Sequence, residues 1–364
     1  FIRHQLEDYM YKKELANGYK YVYTPVLTHK NLYETSGHLA HYREDMYNPI
    51  NIEGEDYYLK PMNCPHHHMI YRHSPLSYKD LPLRLAEFGL VHRFERSGVL
   101  TGLIRARCFT QNDSHIYCAK KDLKKELLSV LNLFKEVYSD FKIGNYWFRL
   151  SLPDFSNEEK YGDIQNKEMW EEAGKLTEEA LKEFGGKYVI GVGEASFYGP
   201  KIDFVIHSSL GREFGLSTNQ IDLYMGERFK LSYTDKDGKE KTPVIIHRAP
   251  LGSHERFVGF LIEHFGGAFP VWLSPVQVKI MPITERNLDY AQKVSEKLSQ
   301  EDIRVEVDER NETLQAKIRD AQLAKIPYML IIGDKEEKEG SVSKRDRSGK
   351  DSGPQKLEKF MVEI

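Results

Sequence analysis

Apolar residues recur along the chain at two spacings, one typical of helices and one typical of strands. Near the N-terminus they follow helical spacing as far as a stop at Asn17-Gly18: Ile2, Leu6, Tyr9 and Met10. This pattern predicts an amphipathic helix over residues 1–16. A short strand is predicted over residues 21–27, where Pro25 suits an edge or an interface. On spacing alone, ordinary core packing is the favoured interpretation of both elements.

Strand patterns dominate the middle of the chain. Alternating residues over 83–118 predict two antiparallel strands joined by a long mobile loop. Apolar spacing over 163–184 predicts a helix, and three more strands are predicted at residues 188–192, 201–207 and 244–246. Because strands outnumber helices here and short turns join them, we predict an α+β domain with a mostly antiparallel sheet backed by helices.

The pattern changes near residues 270–275, where two prolines bracket a short segment. Beyond it, residues 276–332 alternate strand, helix, strand, helix, strand, which predicts a smaller α/β domain whose sheet has a parallel core. We therefore place one domain at residues 1–270 and a second at residues 276–364. The polar run at residues 344–353 is predicted to be a loop.

Composition narrows the class of protein only a little. The 364 residues suffice for two domains, and 40% hydrophobic with 29% charged residues is ordinary for a soluble globular protein. The formal net charge of −3 argues against a uniformly basic surface, although a local basic face remains compatible with it. No apolar run approaches the roughly 20 residues of a membrane span. Three cysteines, fewer than a disulfide framework needs, fit a reducing cytoplasm, and a chain beginning at Phe1 is expected to be a fragment.

Two separated segments carry the candidate chemistry. The first segment contains Arg93 and Glu95 and continues along a second strand that includes Phe109. The second contains Glu255 and Arg256 and leads into an apolar stretch. An unpaired charge beside apolar residues is costly, and the planar guanidinium fork suits a phosphate. For either segment alone, a salt bridge within a sheet is the favoured alternative.

At these residues the chain resembles the class II aminoacyl-tRNA synthetases, and the threonyl-tRNA synthetases in particular. The three class II motifs are matched at residues 18–25, 93–111 and 252–256. Segments resembling the threonyl type are residues 60–65, 197–202 and 272–277. Together they span essentially the whole chain in the family's order. The resemblance implies a class II catalytic domain at residues 1–270 and an anticodon-binding domain at residues 276–364.

The implied activity is that of a threonine–tRNA ligase, which activates L-threonine with ATP and Mg²⁺ and loads tRNA(Thr). By resemblance, Arg93 bridges the α-phosphate and the substrate carboxylate, and Glu95 holds the adenine amino group. Phe109 and Arg256 sandwich the adenine, and Arg105 meets the triphosphate. Thr218 and Ser253 lie on the nucleotide side. The family's N-terminal helix and strand form its dimer contact, so a cytoplasmic homodimer is expected.

A second set, Cys64, His115 and His247, matches the family's zinc ligands. Their sequence spacing alone favours a buried thiol and two hydrogen-bonded histidines. Three protein ligands with an open fourth position are typical of a working zinc site. A zinc bound to both the amino and hydroxyl groups of threonine would reject valine, whereas serine would pass. The family removes serine with a separate editing domain, which no segment of this chain resembles.

Further roles are implied by the resemblance alone. The expected threonine-binding residues are Gln111, Asp113, Tyr198, Lys201 and Gln220. His38 matches a histidine associated with the terminal ribose of tRNA, although a lone loop histidine is more often at the surface. Arg93, Arg256, His38 and Lys201 are the expected catalytic residues. The expected anticodon contacts are Asn311, Arg319, Glu336 and Arg345, with Arg347 close by.

Several positions depart from the family pattern. Cys64 is followed by His66-His67-His68, and Gly215 stands where a glutamine is usual. Phe94 and Cys108 are also substitutions. A catalytically silent synthetase paralogue is one alternative, although the phosphate arginines and zinc ligands are retained. A zinc hydrolase is disfavoured because the chain has no HExxH pair. Prolyl and seryl synthetases are disfavoured because neither needs the Cys/His/His set.

Overall fold

The computed structural model describes residues 1–157, 161, 167–208, 211 and 213–364. The chain forms two compact units: Leu6–Phe260, and Leu261–Ile364 together with Phe1–Gln5. No helix among the described residues is both long enough and apolar enough to cross a membrane.

The described helices are numbered in chain order. They are α1 Ile2–Ala16, α2 Lys30–Thr35, α3 His38–His41, α4 Cys64–His73, α5 Leu123–Asp140, α6 Lys167–Phe184, α7 Met225–Arg228, α8 His254–Phe265, α9 Leu288–Gln300, α10 Leu314–Leu323, α11 Asp334–Glu339 and α12 Leu357–Glu363.

The strands are numbered in the same way. They are β1 Lys20–Tyr21, β2 Leu27–His29, β3 Ile50–Ile52, β4 Glu55–Leu59, β5 Leu83–His92, β6 Cys108–Cys118, β7 Tyr146–Leu152, β8 Tyr188–Val192, β9 Lys201–His207, β10 Glu213–Asp222, β11 Tyr233–Thr234, β12 Glu240–Lys241, β13 Val244–Ala249, β14 Val278–Pro282, β15 Val305–Val307, β16 Tyr328–Ile332, β17 Ser341–Asp346 and β18 Asp351–Lys356.

The larger unit is built on an eight-stranded sheet in the order β1-β5-β6-β13-β10-β9-β7-β8. The β1–β5 and β7–β8 pairs at its two ends are parallel and the others are antiparallel, which confirms the predicted architecture. Helix α5 buries Leu127, Leu131 and Phe134, which recur at helical spacing on one face. The Phe134 ring lies 4.8 Å from the Phe204 ring of β9, so this helix covers the sheet with apolar side chains.

Most predicted elements of this unit are confirmed. The N-terminal helix spans Ile2–Ala16, and the strands around the predicted long loop are β5 and β6. Helix α6 confirms the described part of the 163–184 prediction, whose residues 163–166 lie outside the described chain. The single strand predicted over 21–27 is wrong, because it is split into β1 and β2. Pro25 lies between them and has no N–H to donate to a ladder.

Two glycines allow close backbone approach near the site. A Cβ atom on Gly89 of β5 would collide with the side-chain amide of Asn63, which precedes α4. Gly252 has a φ of +60°, and a Cβ there would meet the backbone oxygen of Leu216. Only glycine tolerates both this positive φ and the close approach to Leu216, so the turn between β13 and α8 requires Gly252.

The smaller unit carries a five-stranded sheet in the order β15-β14-β16-β17-β18. The first three strands are parallel, which confirms the predicted parallel core. The loop predicted at 344–353 is wrong, because β17 and β18 form an antiparallel pair there. Lys344 fits within β17 because its ammonium lies 5.1 Å from the Tyr328 ring centroid and 2.7 Å from the carboxylate of Glu363.

Candidate active site

The β5–β6 hairpin positions the first set of predicted residues. Val91 is registered opposite Phe109 and His92 opposite Cys108, so Arg93 emerges where the hairpin opens into its loop. The Arg93 Nε donates to the backbone oxygen of Pro61 at 3.3 Å, and its guanidinium carbon lies 5.3 Å from the Phe109 ring centroid. The ring and this hydrogen bond hold the guanidinium in one place.

A cavity of about 430 Å³ lies beside this hairpin. It is lined by ten of the residues predicted to bind nucleotide or threonine: Arg93, Glu95, Arg105, Phe109, Gln111, Lys201, Thr218, Gln220, Ser253 and Arg256. These residues come from β6, β9, β10, the hairpin loop and the segment around the start of α8, so the fold brings together positions that are far apart in sequence.

Cations outnumber carboxylates in the lining of the cavity. Its ionisable side chains are Arg93, Arg105, Arg149, Lys201, Arg256, Glu95 and Asp203. Burial lowers the pKa of Arg256, and the neighbouring charges of Arg93 and Arg105 lower it further. Guanidinium groups this close to one another repel, and a polyanion between them would relieve that repulsion. The cavity is therefore suited to a phosphate-bearing ligand.

Two residues predicted to touch opposite ends of the nucleotide contact each other. The Arg105 Nη2 lies 2.9 Å from the Glu95 Oε2, with the Glu95 side chain 17% exposed and that of Arg105 50% exposed. Binding adenine at Glu95 and phosphate at Arg105 at the same time would require this ion pair to open.

A row of polar side chains runs along β9 and β10. Tyr198 OH donates to the Gln220 Oε1, and the Gln220 Nε2 lies 3.3 Å from the Thr218 hydroxyl. That hydroxyl donates to Asp203 at 3.0 Å, and Lys201 lies 2.9 Å from the other Asp203 oxygen. The sequence interpretation missed Asp203, although its position two residues after Lys201 on a strand places it on the same face.

The cysteine and two histidines predicted as zinc ligands come together. Cys64 begins α4, and His115 of β6 is registered directly opposite His247 of β13. One potential ligand atom from each lies within 4.8 Å of the other two, and all three residues are buried. The sequence spacing could not show this, because strand pairing across 132 residues creates the contact between the histidines.

A row of hydrogen bonds links these histidines to two carboxyl groups. The His247 Nε2 lies 2.8 Å from Asp222, and the His67 Nε2 lies 3.1 Å from Glu87. In the neutral form of each ring, the nitrogen facing a carboxylate carries the proton and Nδ1 is the acceptor. His115 then donates through its Nδ1 to the His67 Nδ1 at 2.8 Å.

In these tautomers, one unprotonated nitrogen of His115 faces one unprotonated nitrogen of His247. The His115 Nε2 and the His247 Nδ1 are 2.9 Å apart, and neither carries a proton in the neutral tautomers just described. Burial lowers the pKa of His115 well below its usual value, which opposes protonation of that ring. A metal cation beside both nitrogens would resolve the repulsion, so the two rings could serve as ligands.

The donor set also fits the chemistry of zinc. Burial raises the pKa of the Cys64 thiol well above its usual value, so a cation binding there would displace the thiol proton. One thiolate and two imidazoles form a soft-to-intermediate set of the kind that zinc prefers. Asp222, 2.8 Å from the His247 Nε2, would orient that ring if it bound a metal.

Three predicted residues surround this cluster. The Asp113 Oδ2 accepts from the Asn63 amide at 3.0 Å, and the Tyr198 ring stacks on the His247 ring with centroids 5.1 Å apart. His38 is buried at the start of α3, in contrast to the surface loop that its sequence context favoured. Burial and then the charge of Arg93 lower the pKa of His38 to about 3, so its imidazole is a weak base.

The predicted anticodon residues belong to the smaller unit. Glu336 accepts from Ser343, which lies two residues before Arg345 on β17, and Arg345 lies 3.4 Å from Asp351. Asn311 is exposed, and Arg319 is 70% exposed in its side chain and paired with its neighbour in the chain. The Nε of Arg345 is buried and has no hydrogen-bond partner among the described residues.

Comparisons with known proteins identify the family of each part of the chain. A family model described as the tRNA synthetase class II core domain (G, H, P, S and T) matches residues 47–265, and one described as an anticodon binding domain matches residues 277–364. A prolyl-tRNA synthetase from Cryptosporidium parvum shares the fold at a TM-score of 0.72 and 16% identity, covering 100% of this chain and 68% of that one. Fold and site thus define a class II aminoacyl-tRNA synthetase core.

Individual relatives narrow the class further. A threonine–tRNA ligase of Geobacillus kaustophilus is 50% identical over 362 residues, which are 99% of this chain and 55% of that protein. A crystal structure of the RNA binding domain of threonyl-tRNA synthetase from Cryptosporidium parvum Iowa II matches with a TM-score of 0.93 and 34% identity, covering 100% of this chain and 89% of that one. The chain belongs to the threonyl-tRNA synthetase family. It spans about half the length of the curated relatives it matches.

Proposed function

We propose that this chain carries the catalytic and anticodon-binding parts of a threonine–tRNA ligase that uses ATP and Mg²⁺. One observation carries the proposal: His247 of the Cys/His/His cluster is the cross-strand partner of Gln220, which lines the cationic cavity. A metal-held amino acid and a phosphate-held nucleotide would therefore lie side by side, as amino-acid activation requires.

In the proposed first reaction, a threonine carboxylate oxygen attacks the α-phosphorus of ATP. A bond forms between that oxygen and phosphorus, and pyrophosphate leaves with the electrons of the bond it shared with the α-phosphoryl group. Both reactants are anions, so their approach needs fixed cations. We propose that Arg93, which contacts Phe109 and the Pro61 oxygen, bridges them, and that Arg256 and Lys201 of the cavity add positive charge.

We further propose that Cys64, His115 and His247 hold Zn²⁺. When bound, the metal would supply a Lewis acid for the amino and hydroxyl groups of threonine. Tyr198 stacks on His247 and hydrogen-bonds to Gln220, so the two side chains would line the pocket that orients the amino acid. A site built for a hydroxyl rejects an isostere without it by about 10⁴- to 10⁵-fold, which would exclude valine.

In the second reaction the threonyl group would pass from the adenylate to the 3′ end of tRNA(Thr), releasing AMP. We assign tRNA recognition to the smaller unit, where the Arg345 side chain is 28% exposed and lies 3.4 Å from Asp351. We also propose a cytoplasmic homodimer that uses α1 and the segment after it. Tyr23 there is 91% exposed and Leu15 is 45% exposed, which fits a partner surface.

The proposal is tested by threonine-dependent exchange between ATP and radiolabelled pyrophosphate. We expect exchange with threonine, weak exchange with serine and none above background with valine. Metal analysis of the same sample should give one zinc per chain. Folded, metal-replete protein that shows no threonine-dependent exchange would contradict the assigned activity.

A further inference from the structure

A second buried cluster of potential metal ligands shares His247 with the first. It consists of His68, Asp222 and His247, each with one potential ligand atom within 4.8 Å of the other two. His68 is the last of the three consecutive histidines after Cys64, and neither the nucleotide cavity nor the Cys/His/His cluster includes it.

The His68 ring has one nitrogen without a partner. Its Nδ1 lies 2.9 Å from the Tyr117 hydroxyl, and its ring packs 4.9 Å from the Phe229 ring. The residue is 0% exposed, and its Nε2 has no hydrogen-bond partner among the described residues. A buried polar atom without a partner costs free energy. A ligand for this nitrogen would remove that cost.

The side chain of Asp222 is held in place near the same ring. Its Oδ1 accepts from the backbone N–H groups of Tyr224 and Met225, each at 2.8 Å. Its Oδ2 is directed toward the His247 Nε2 at 2.8 Å. The carboxylate is therefore fixed by the start of α7 and presents one oxygen to the space that His68 and His247 share.

We propose that His68, Asp222 and His247 form a second binding position for a divalent transition-metal ion. The His247 ring would bridge the two positions, with its Nδ1 facing the Cys64–His115 set and its Nε2 facing the second ion. The proton on Nε2 would leave to solvent when the second ion binds. This inference deepens the proposed zinc centre and rests on it.

The two positions should fill in a fixed order. The first offers a thiolate, which zinc and cobalt bind strongly, whereas the second offers only nitrogen and oxygen donors. The second ion must also replace the hydrogen bond between Asp222 and His247. It should therefore bind more weakly and only after the first position is occupied.

The test is a titration of the metal-free protein with Co²⁺, followed by absorption spectroscopy and equilibrium dialysis. The first equivalent should bring intense thiolate-to-cobalt charge transfer, because it binds at Cys64. A second equivalent should add only weak d–d bands. His68→Leu should keep the first phase and lose the second, whereas His73→Leu, which alters an exposed histidine on the same helix, should keep both.

Each alternative result is decisive. Saturation of the wild-type protein at one equivalent would overturn the second position, whether or not the variants fold. Persistence of the second phase in folded His68→Leu would overturn it as well. Absence of charge transfer in the first phase would instead contradict the zinc centre of the proposed function, and the second position with it.

Discussion

At the scale of single residues, Cys64 supplies the sulfur of the proposed zinc site. Cys64→Ser replaces a soft thiolate with a hydroxyl in a set of three ligands, so tight zinc binding and threonine affinity should fall together. ATP affinity should survive, because Cys64 is not among the residues lining the nucleotide cavity. Metal content and the KM values for threonine and ATP measure these effects.

A matched control for this change is Cys118→Ser, since Cys118 is also buried but belongs to neither metal cluster. It should retain zinc and threonine affinity. If Cys64→Ser still bound one zinc as tightly as the wild type, a neighbouring histidine would be the ligand and the assignment of Cys64 would be wrong.

Arg93 is the residue on which charge stabilisation should depend most. Arg93→Lys keeps the positive charge but loses the planar fork that packs on Phe109 and donates to Pro61. Removing one preorganised donor of this kind typically costs about 10²- to 10³-fold in kcat. Pyrophosphate exchange should fall by that order while the circular dichroism spectrum stays unchanged. A loss below about threefold would show that Arg93 does not contact the reacting groups.

At the scale of elements, the turn between β13 and α8 connects the strand that carries His247 to the helix that carries Arg256. Gly252→Ala would place a Cβ against the Leu216 backbone oxygen at a φ of +60°, so this turn should shift. We expect a loss of about 1–3 kcal/mol in unfolding free energy and a raised KM for ATP.

The measurements for this prediction are urea unfolding and exchange kinetics. Gly238→Ala is a useful comparison, because that glycine has a φ of +76° and nothing lies near its missing Cβ. Gly238→Ala should show how much the strain of a positive φ alone lowers the free energy of unfolding. Equal stability and equal ATP KM in the two variants would show that the close approach to Leu216 is unimportant.

Elements with strong patterns could be predicted from sequence, whereas contacts created by strand pairing could not. The periodicity of residues 1–16 and the alternation along residues 83–118 predicted α1, β5 and β6. The β17–β18 hairpin was missed because its polar side chains resemble a loop, although ring contacts and an ion pair accommodate Lys344 there.

The candidate site likewise contains residues that could be predicted from the sequence and residues that could not. The resemblance supplied Cys64, His115 and His247, and the structure brings them together. It did not supply Asp222, which hydrogen-bonds to His247, or the pairing of His67 with Glu87. Asp222 and Glu87 lie on strands that carry none of the three ligands, so no spacing along the chain connects them to the site, whereas His67 lies on α4 three residues after Cys64.

At the scale of the whole molecule, the division into two units predicts that the two half-reactions can be separated. Arg345→Ala should lower tRNA aminoacylation through weaker tRNA affinity and leave pyrophosphate exchange intact. The reason is that its guanidinium group can hydrogen-bond an unstacked base edge, and the larger unit contains the whole nucleotide cavity.

Lys350→Ala is the control for charge, because it removes an exposed cation between the same two strands. It should change aminoacylation much less than Arg345→Ala does. Equal losses of exchange and aminoacylation in Arg345→Ala would mean that Arg345 supports folding and that the anticodon assignment is wrong.

The pairing of β13 has a consequence for how faithfully the site is assembled. His247 and Arg248 are adjacent, so they point to opposite faces of the sheet. One face holds the metal cluster, and on the other the fully buried Arg248 pairs with Glu14 of α1 and lies 4.0 Å from the Tyr19 ring centroid. A slip of β13 by one residue would bring Arg248 among the three candidate ligands and His247 under α1. The two faces of β13 therefore specify the same strand register.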